Sequence, residues 1–131
     1  MLSEELQIYK DTDIFVKTLS DVIQYGISKS WRQIAGVDMF RSAIDLYKYI
    51  RLANSEPQNR IEHLEKYINI LDTIKVYLRL SVETKNISLT KSAELILLLD
   101  GIGKQATGWK NSSANNDNTT GSDGAKASTG E

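Results

Sequence analysis

Ile61-Glu-His-Leu-Glu-Lys-Tyr-Ile-Asn-Ile-Leu-Asp-Thr-Ile-Lys-Val-Tyr-Leu-Arg-Leu-Ser-Val82 is the stretch that decides the fold. Ile61, Leu64, Ile68 and Leu71 recur at intervals of three, four and three, and the rhythm continues through Ile74, Leu78 and Val82. That spacing marks one face of an α-helix, and it predicts a helix over about 56–85. At ~1.5 Å per residue such a helix is roughly 45 Å long. An apolar stripe of that length must be covered, and other long helices are the natural cover. Pro57, the only proline, falls in the first turn, where its missing N–H costs nothing, and Ser55 before it is a candidate cap.

Working outward, Ile8, Phe15, Leu19, Val22 and Ile23 predict a first helix over about 4–24, ended by Gly26 and the polar Ser28-Lys29-Ser30. Val37, Phe40, Ile44 and Tyr47 form a stripe, extended by Ile50, that predicts a second helix over about 32–53. Asn86-Ile87 makes a short turn after the third helix, with Ser88 or Thr90 as the cap of a fourth that runs to about Trp109. Short connections between long helices imply antiparallel neighbours, so the expected fold is all-α, an antiparallel up-down four-helix bundle over residues 1–110. No useful period-2 alternation suggests a sheet. Residues 111–131 contain no aromatic and no large aliphatic side chain, cannot offset the entropy of ordering, and are expected to form a disordered, low-complexity polar tail.

The composition excludes several kinds of chemistry. With no cysteine, disulfides, thiolate metal sites and a cysteine nucleophile are ruled out. His63 is the lone histidine, too few for the paired Glu-x-x-His motifs of a metal-centred bundle, and no nucleophile elbow accompanies it. Gly101-Ile-Gly-Lys104 lacks the spacing and the preceding strand of a phosphate loop; close helix approach is the expected use of Gly103 and Ala106. Neither a cofactor nor a metal is therefore expected, and the chain reads as a non-enzyme. Its acidic start, Met1-Leu2-Ser3-Glu4-Glu5, and its short apolar runs lead to an expected cytoplasmic location, away from membranes.

Leu95-Ile-Leu-Leu-Leu99 is apolar on nearly every face of its helix, more than one bundle core requires. This predicts a homo-oligomer with Leu95, Leu98, Leu99, Ile102 and Trp109 at the subunit contact. Residues 46–112 carry ten Lys/Arg against seven Asp/Glu, whereas residues 1–45 carry five against seven. Lys75 and Arg79 share a face of the third helix, Lys48 and Arg51 a face of the second, and Lys104 and Lys110 close the fourth. Repeated around a symmetry axis, these cations would focus a positive field on a polyanion such as RNA. Lys85 and Lys91 flank the third turn. Tyr47, Tyr49, Tyr67 and Tyr77 offer rings for stacking on bases, with packing the more ordinary use of each.

Lys75, Arg79 and Leu80 on the third helix, followed by Ile102, Gly103, Lys104, Gly108, Trp109 and Ser112 on the fourth, form a pattern. Together with Ile8-Tyr-Lys-Asp11 and Arg51-Leu-Ala-Asn54, it resembles the accessory variability determinant (Avd) family of diversity-generating retroelements over about residues 6–112. The resemblance implies a homopentameric barrel of four-helix bundles. It also implies binding to the retroelement reverse transcriptase and its template RNA, with no chemistry of its own, in support of mutagenic cDNA synthesis. On this resemblance Lys75 and Arg79 are the most direct RNA contacts. The related proteins encoded within 23S ribosomal RNA intervening sequences share the bundle, but their second-helix pattern is replaced here by Ala43-Ile-Asp-Leu-Tyr-Lys-Tyr-Ile50. An oligomeric scaffold of that type, with protein partners only, is the alternative.

Overall fold

The computed structural model describes residues 2–126, with side chains described through residue 115. Four long helices make up the fold: α1 (Gln7–Tyr25), α2 (Val37–Ser55), α3 (Arg60–Glu83) and α4 (Leu89–Lys126). Among the described residues there is no strand. One α-turn (Lys29–Trp31) and a π-turn (Arg32–Gly36) lead directly into α2, and a 3-10 turn (Pro57–Asn59) leads into α3. Each helix packs on its neighbours in sequence, and α4 closes the ring against α1.

The core lies between these four helices. From α1 it takes Phe15 and Leu19, from α3 Leu64, Leu71, Ile74 and Leu78, as the apolar spacing predicts. In α2 the expected stripe is displaced. Val37 and Ile44 are exposed, and Phe40 and Tyr47 only half-buried. The inward face is Met39, Ala43, Leu46, Ile50 and Ala53, spaced four, three, four and three. Met39, Leu46 and Ile50 supply the bulk of that face and Ala43 and Ala53 its small positions, while Val37 and Ile44 fall outside.

Two polar contacts cross the core. Thr12 Oγ1 lies 2.6 Å from Tyr67 Oη, both side chains fully buried, and this satisfies a phenol that burial drives to a raised pKa. Trp31 Nε1 donates to Ser81 Oγ at 2.7 Å, and that hydroxyl donates in turn to the Tyr77 carbonyl at 2.7 Å. Nearer the surface, Tyr47 donates to Asp13 at 2.7 Å. This bond, with a further one from Lys17, holds the Asp13 carboxyl below its usual pKa.

Helix ends are closed by two related devices. Arg32 donates from Nε to the Ile23 carbonyl at 2.7 Å, and from Nη2 to those of Gln24 at 2.8 Å and Ile27 at 3.3 Å. A guanidinium from the start of the next helix thus caps the C-terminus of α1. Arg60 repeats the arrangement at the C-terminus of α2, donating to Ala53 O at 2.7 Å and Asn54 O at 3.4 Å. The end of α3 closes differently, in a Schellman turn. Asn86 N–H donates to Ser81 O at 2.8 Å and Lys85 N–H to Val82 O at 2.9 Å, which puts Lys85 at φ 63°. A lysine in the left-handed region carries a steric penalty that glycine avoids. Lys85→Gly is therefore expected to stabilise the fold by about 1 kcal/mol, read as a higher urea midpoint with unchanged slope.

Ser88 is the cap of α4, its Oγ accepting the Lys91 N–H at 3.1 Å. The helix then continues past Trp109, where the sequence reading ends it, to Lys126. The tail expected from residue 111 onward falls largely outside the residues whose side chains are described, and residues 127–131 lie wholly outside the described ones.

Candidate nucleic-acid interface

Among the expected RNA contacts, Lys75 and Lys104 come together on one groove. Lys75 follows Leu71 by one turn on the edge of α3 that faces α4, and its Nζ lies 2.9 Å from Asp100 Oδ1 across the helix pair. The groove between α3 and α4 has a volume of about 710 Å³; Leu71, Leu99 and Gly103 are among its lining residues, with Asp72, Lys75 and Lys104. Leu97, Gly101, Lys104, Gly108 and Asn111 follow one another on α4 at helical spacing and all line it too. A Cβ added at Gly101 or Gly108 would meet nothing within 4 Å, so this crest of α4 is bare backbone on either side of Lys104. At Gly103 a Cβ would stand 3.5 Å from Leu71 Cδ1, an ordinary contact, so the approach of α3 and α4 there does not require glycine; Ala106 is fully buried.

The other cations lie elsewhere. Arg79 Nη1 is engaged by both carboxylate oxygens of Glu83, at 3.2 and 3.3 Å. Lys48 and Arg51 are exposed on the outer face of α2, with Lys48 Nζ 5.3 Å from the centre of the Tyr49 ring and Lys66 Nζ 5.9 Å from the same ring. Lys110 is half-buried on α4. The six residues therefore do not form a single patch. The pairs made by Lys75 and Arg79 are surface ion pairs of the kind worth ~0–1 kcal/mol, so a phosphate can displace the carboxylate at little cost.

The expected subunit contact is corrected in part. Leu95, Leu99 and Ile102 are buried in the protomer's own core and have no surface to offer a second copy. Leu98 is half-buried, and Trp109 lies under the Arg60 guanidinium, 5.2 Å from its ring centre. The apolar side chain that does reach outward from the run is Leu97, 74% exposed.

Tyrosines also sort differently from expectation. Tyr67 is sealed in the core, Tyr47 is held by Asp13, and Tyr49 and Tyr77 are half-buried. The exposed ring is Tyr25, at the last residue of α1, 78% exposed. Its place at the very end of the apolar stripe was the only signal for it in the sequence. His63 is buried, with Nε2 2.9 Å from Glu56 Oε1, a bond that lowers the Glu56 pKa. Among the described residues no three His, Asp or Glu side chains converge on a metal position, and no helix is long and apolar enough to cross a membrane.

Comparison of the chain with protein-family models, with curated proteins and with solved structures finds no match.

Proposed function

We propose that this chain is a non-catalytic accessory subunit of a diversity-generating retroelement, of the Avd type. In this reading it binds the reverse transcriptase and the template RNA in the cytoplasm, supports mutagenic cDNA synthesis, and assembles as a homopentameric barrel of up-and-down bundles. The contact of Ser28 with Asn86, which sets the ends of α1 and α3 side by side, supports the up-and-down arrangement.

The observation that carries the reading is the crest of α4. Two exposed glycines in a helix interior cost about 1 kcal/mol each relative to alanine, yet Gly101 and Gly108 meet nothing within the protomer. Backbone left bare in this way, beside exposed Leu97 and the cation Lys104, suits a surface that another chain covers. Gly108 and Lys104 belong to the closing motif that carries the family resemblance.

The second reading, an oligomeric scaffold with protein partners only, is favoured by the near balance of fifteen Lys/Arg and fourteen Asp/Glu over residues 1–112. RNA binding at rising salt separates the two. Under the first reading affinity falls steeply with salt, and Lys75→Ala with Arg79→Ala reduces the log–log slope by about 1.4 for single-stranded template. Absence of binding at low salt leaves only the scaffold. Light scattering tests the assembly separately, and a monomer at ordinary concentrations removes the pentamer.

A further inference from the structure

At the end of the bundle where α1 and α3 finish and α4 begins, the two connecting segments carry cations and no carboxylate. Residues 22–37 and 84–93 contain Lys29, Arg32, Lys85 and Lys91 and no Asp or Glu. The structure brings these two segments together. Ser28 N–H donates to the Asn86 carbonyl at 3.2 Å, and Ser28 Oγ donates to Asn86 Oδ1. Lys91 lies across Gly26, its Nζ 3.2 Å from where a Cβ would stand. Buried Ile27 and Ile87 hold the two loops to the core.

The negative poles at this end are already answered. Arg32 occupies the carbonyls at the end of α1, and the Schellman turn uses those of α3. The N-terminus of α4 adds a positive pole. Lys29, Lys85 and Lys91 are exposed and make no ion pair among the described residues, unlike Lys75 and Arg79. The flanking carboxylates in sequence are Asp21, Asp38, Glu83 and Glu94, of which Glu83 is engaged by Arg79. Beside the lysines stand Tyr25, 78% exposed, and Leu89, 73% exposed.

We infer that this lysine end is a second surface on which the chain holds single-stranded nucleic acid, in addition to Lys75 and Arg79, with Lys29, Lys85 and Lys91 on phosphates and Tyr25 beneath a base. Three ammonium groups outside any ion pair among the described residues supply the sequence-blind attraction, and an exposed ring provides the stacking platform typical of single-strand binding. The inference rests on the RNA-binding reading above and extends the contact beyond Lys75 and Arg79.

The test uses the full chain and a fluorescent single-stranded RNA of about 20 nucleotides, with anisotropy followed across salt. The triple variant Lys29→Gln, Lys85→Gly, Lys91→Gln is expected to lower affinity about 100-fold near 0.1 M salt and to reduce the log–log slope by about 2. Tyr25→Ala is expected to lower it about tenfold with the slope unchanged. Lys10→Gln with Lys66→Gln, which removes two cations from elsewhere, is the control and leaves binding as it was. Circular dichroism checks that each variant folds. If the unaltered chain binds RNA and the triple variant binds equally well, the inference is overturned while the RNA reading stands. If the unaltered chain binds no RNA even at low salt, both fall. Binding of the unaltered chain to phosphatidylserine vesicles, but not to RNA, would reassign this end to a membrane surface and also overturn the inference.

Discussion

Leu99→Ala is expected to destabilise the protein by about 2–5 kcal/mol, whereas Leu97→Ala, two residues earlier in the same apolar run, is expected to leave protomer stability within about 0.5 kcal/mol. Leu99 is 1% exposed and lies in the core with Leu95, Ile102 and Ala106, at spacings of four, three and four. Truncating it removes the transfer energy of the lost carbons and leaves a cavity that close-packed helices collapse only partly. Leu97 points away from the core at 74% exposure, so its loss removes few contacts within the protomer. Urea unfolding followed by far-UV circular dichroism measures both, with the slope expected to stay constant. Equal losses at the two positions would mean that α4 is rotated about its axis from the orientation described. If Leu97 serves a contact between copies, Leu97→Ala lowers the association constant instead, which appears as a concentration dependence of the transition.

Arg32→Ala is expected to cost about 2–3 kcal/mol. Its guanidinium is the donor to three carbonyls at the end of α1, those of Ile23, Gln24 and Ile27. Ile23 and Ile27 are themselves buried, so water reaches their carbonyls poorly once the donor is gone. Gly36 lies in the same π-turn, where a Cβ would come within 3.1 Å of Ile23 Cγ2, so the backbone there has no room to adjust. Arg32→Lys should recover less than half of the loss, because an ammonium cannot reproduce the planar fork that reaches several oxygens together. Equilibrium unfolding gives the free energy, and hydrogen exchange at residues 22–28 locates it. A change below about 0.5 kcal/mol would show that solvent satisfies these carbonyls as well as Arg32 does.

How much of this was legible in the sequence depended on side-chain size. The stripes of α1 and α3 could be read because their core positions hold large apolar residues such as Phe15, Leu19, Leu71 and Leu78. In α2 the same rule pointed to Val37 and Ile44, which are exposed, since the true core face uses Ala43 and Ala53. Spacing alone does not distinguish a core alanine from a surface one. The run Leu95–Leu99 identifies a helix with excess apolar surface but not its rotation, so it does not separate Leu95 and Leu99, buried in the protomer, from Leu97, which is exposed. Pairing of Lys75 with Asp100, 25 positions apart, depends on how α3 and α4 lie together and has no local signal. The cationic end is hidden for the same reason. Lys29 and Lys85 belong to separate segments, which the fold brings side by side through the hydrogen bonds between Ser28 and Asn86 and the burial of Ile27 and Ile87.

Trp31 and Trp109 are the only indoles in the chain, one bonded to Ser81 near the end of α3 and the other stacked with Arg60 at its start. Along the helix axis those two anchor points are roughly 30 Å apart. The molecule thus carries a natural emitter at either end, each in its own surroundings. With one of them changed to phenylalanine, the wavelength of the remaining fluorescence reports fraying or occupancy at a single end, with no added dye.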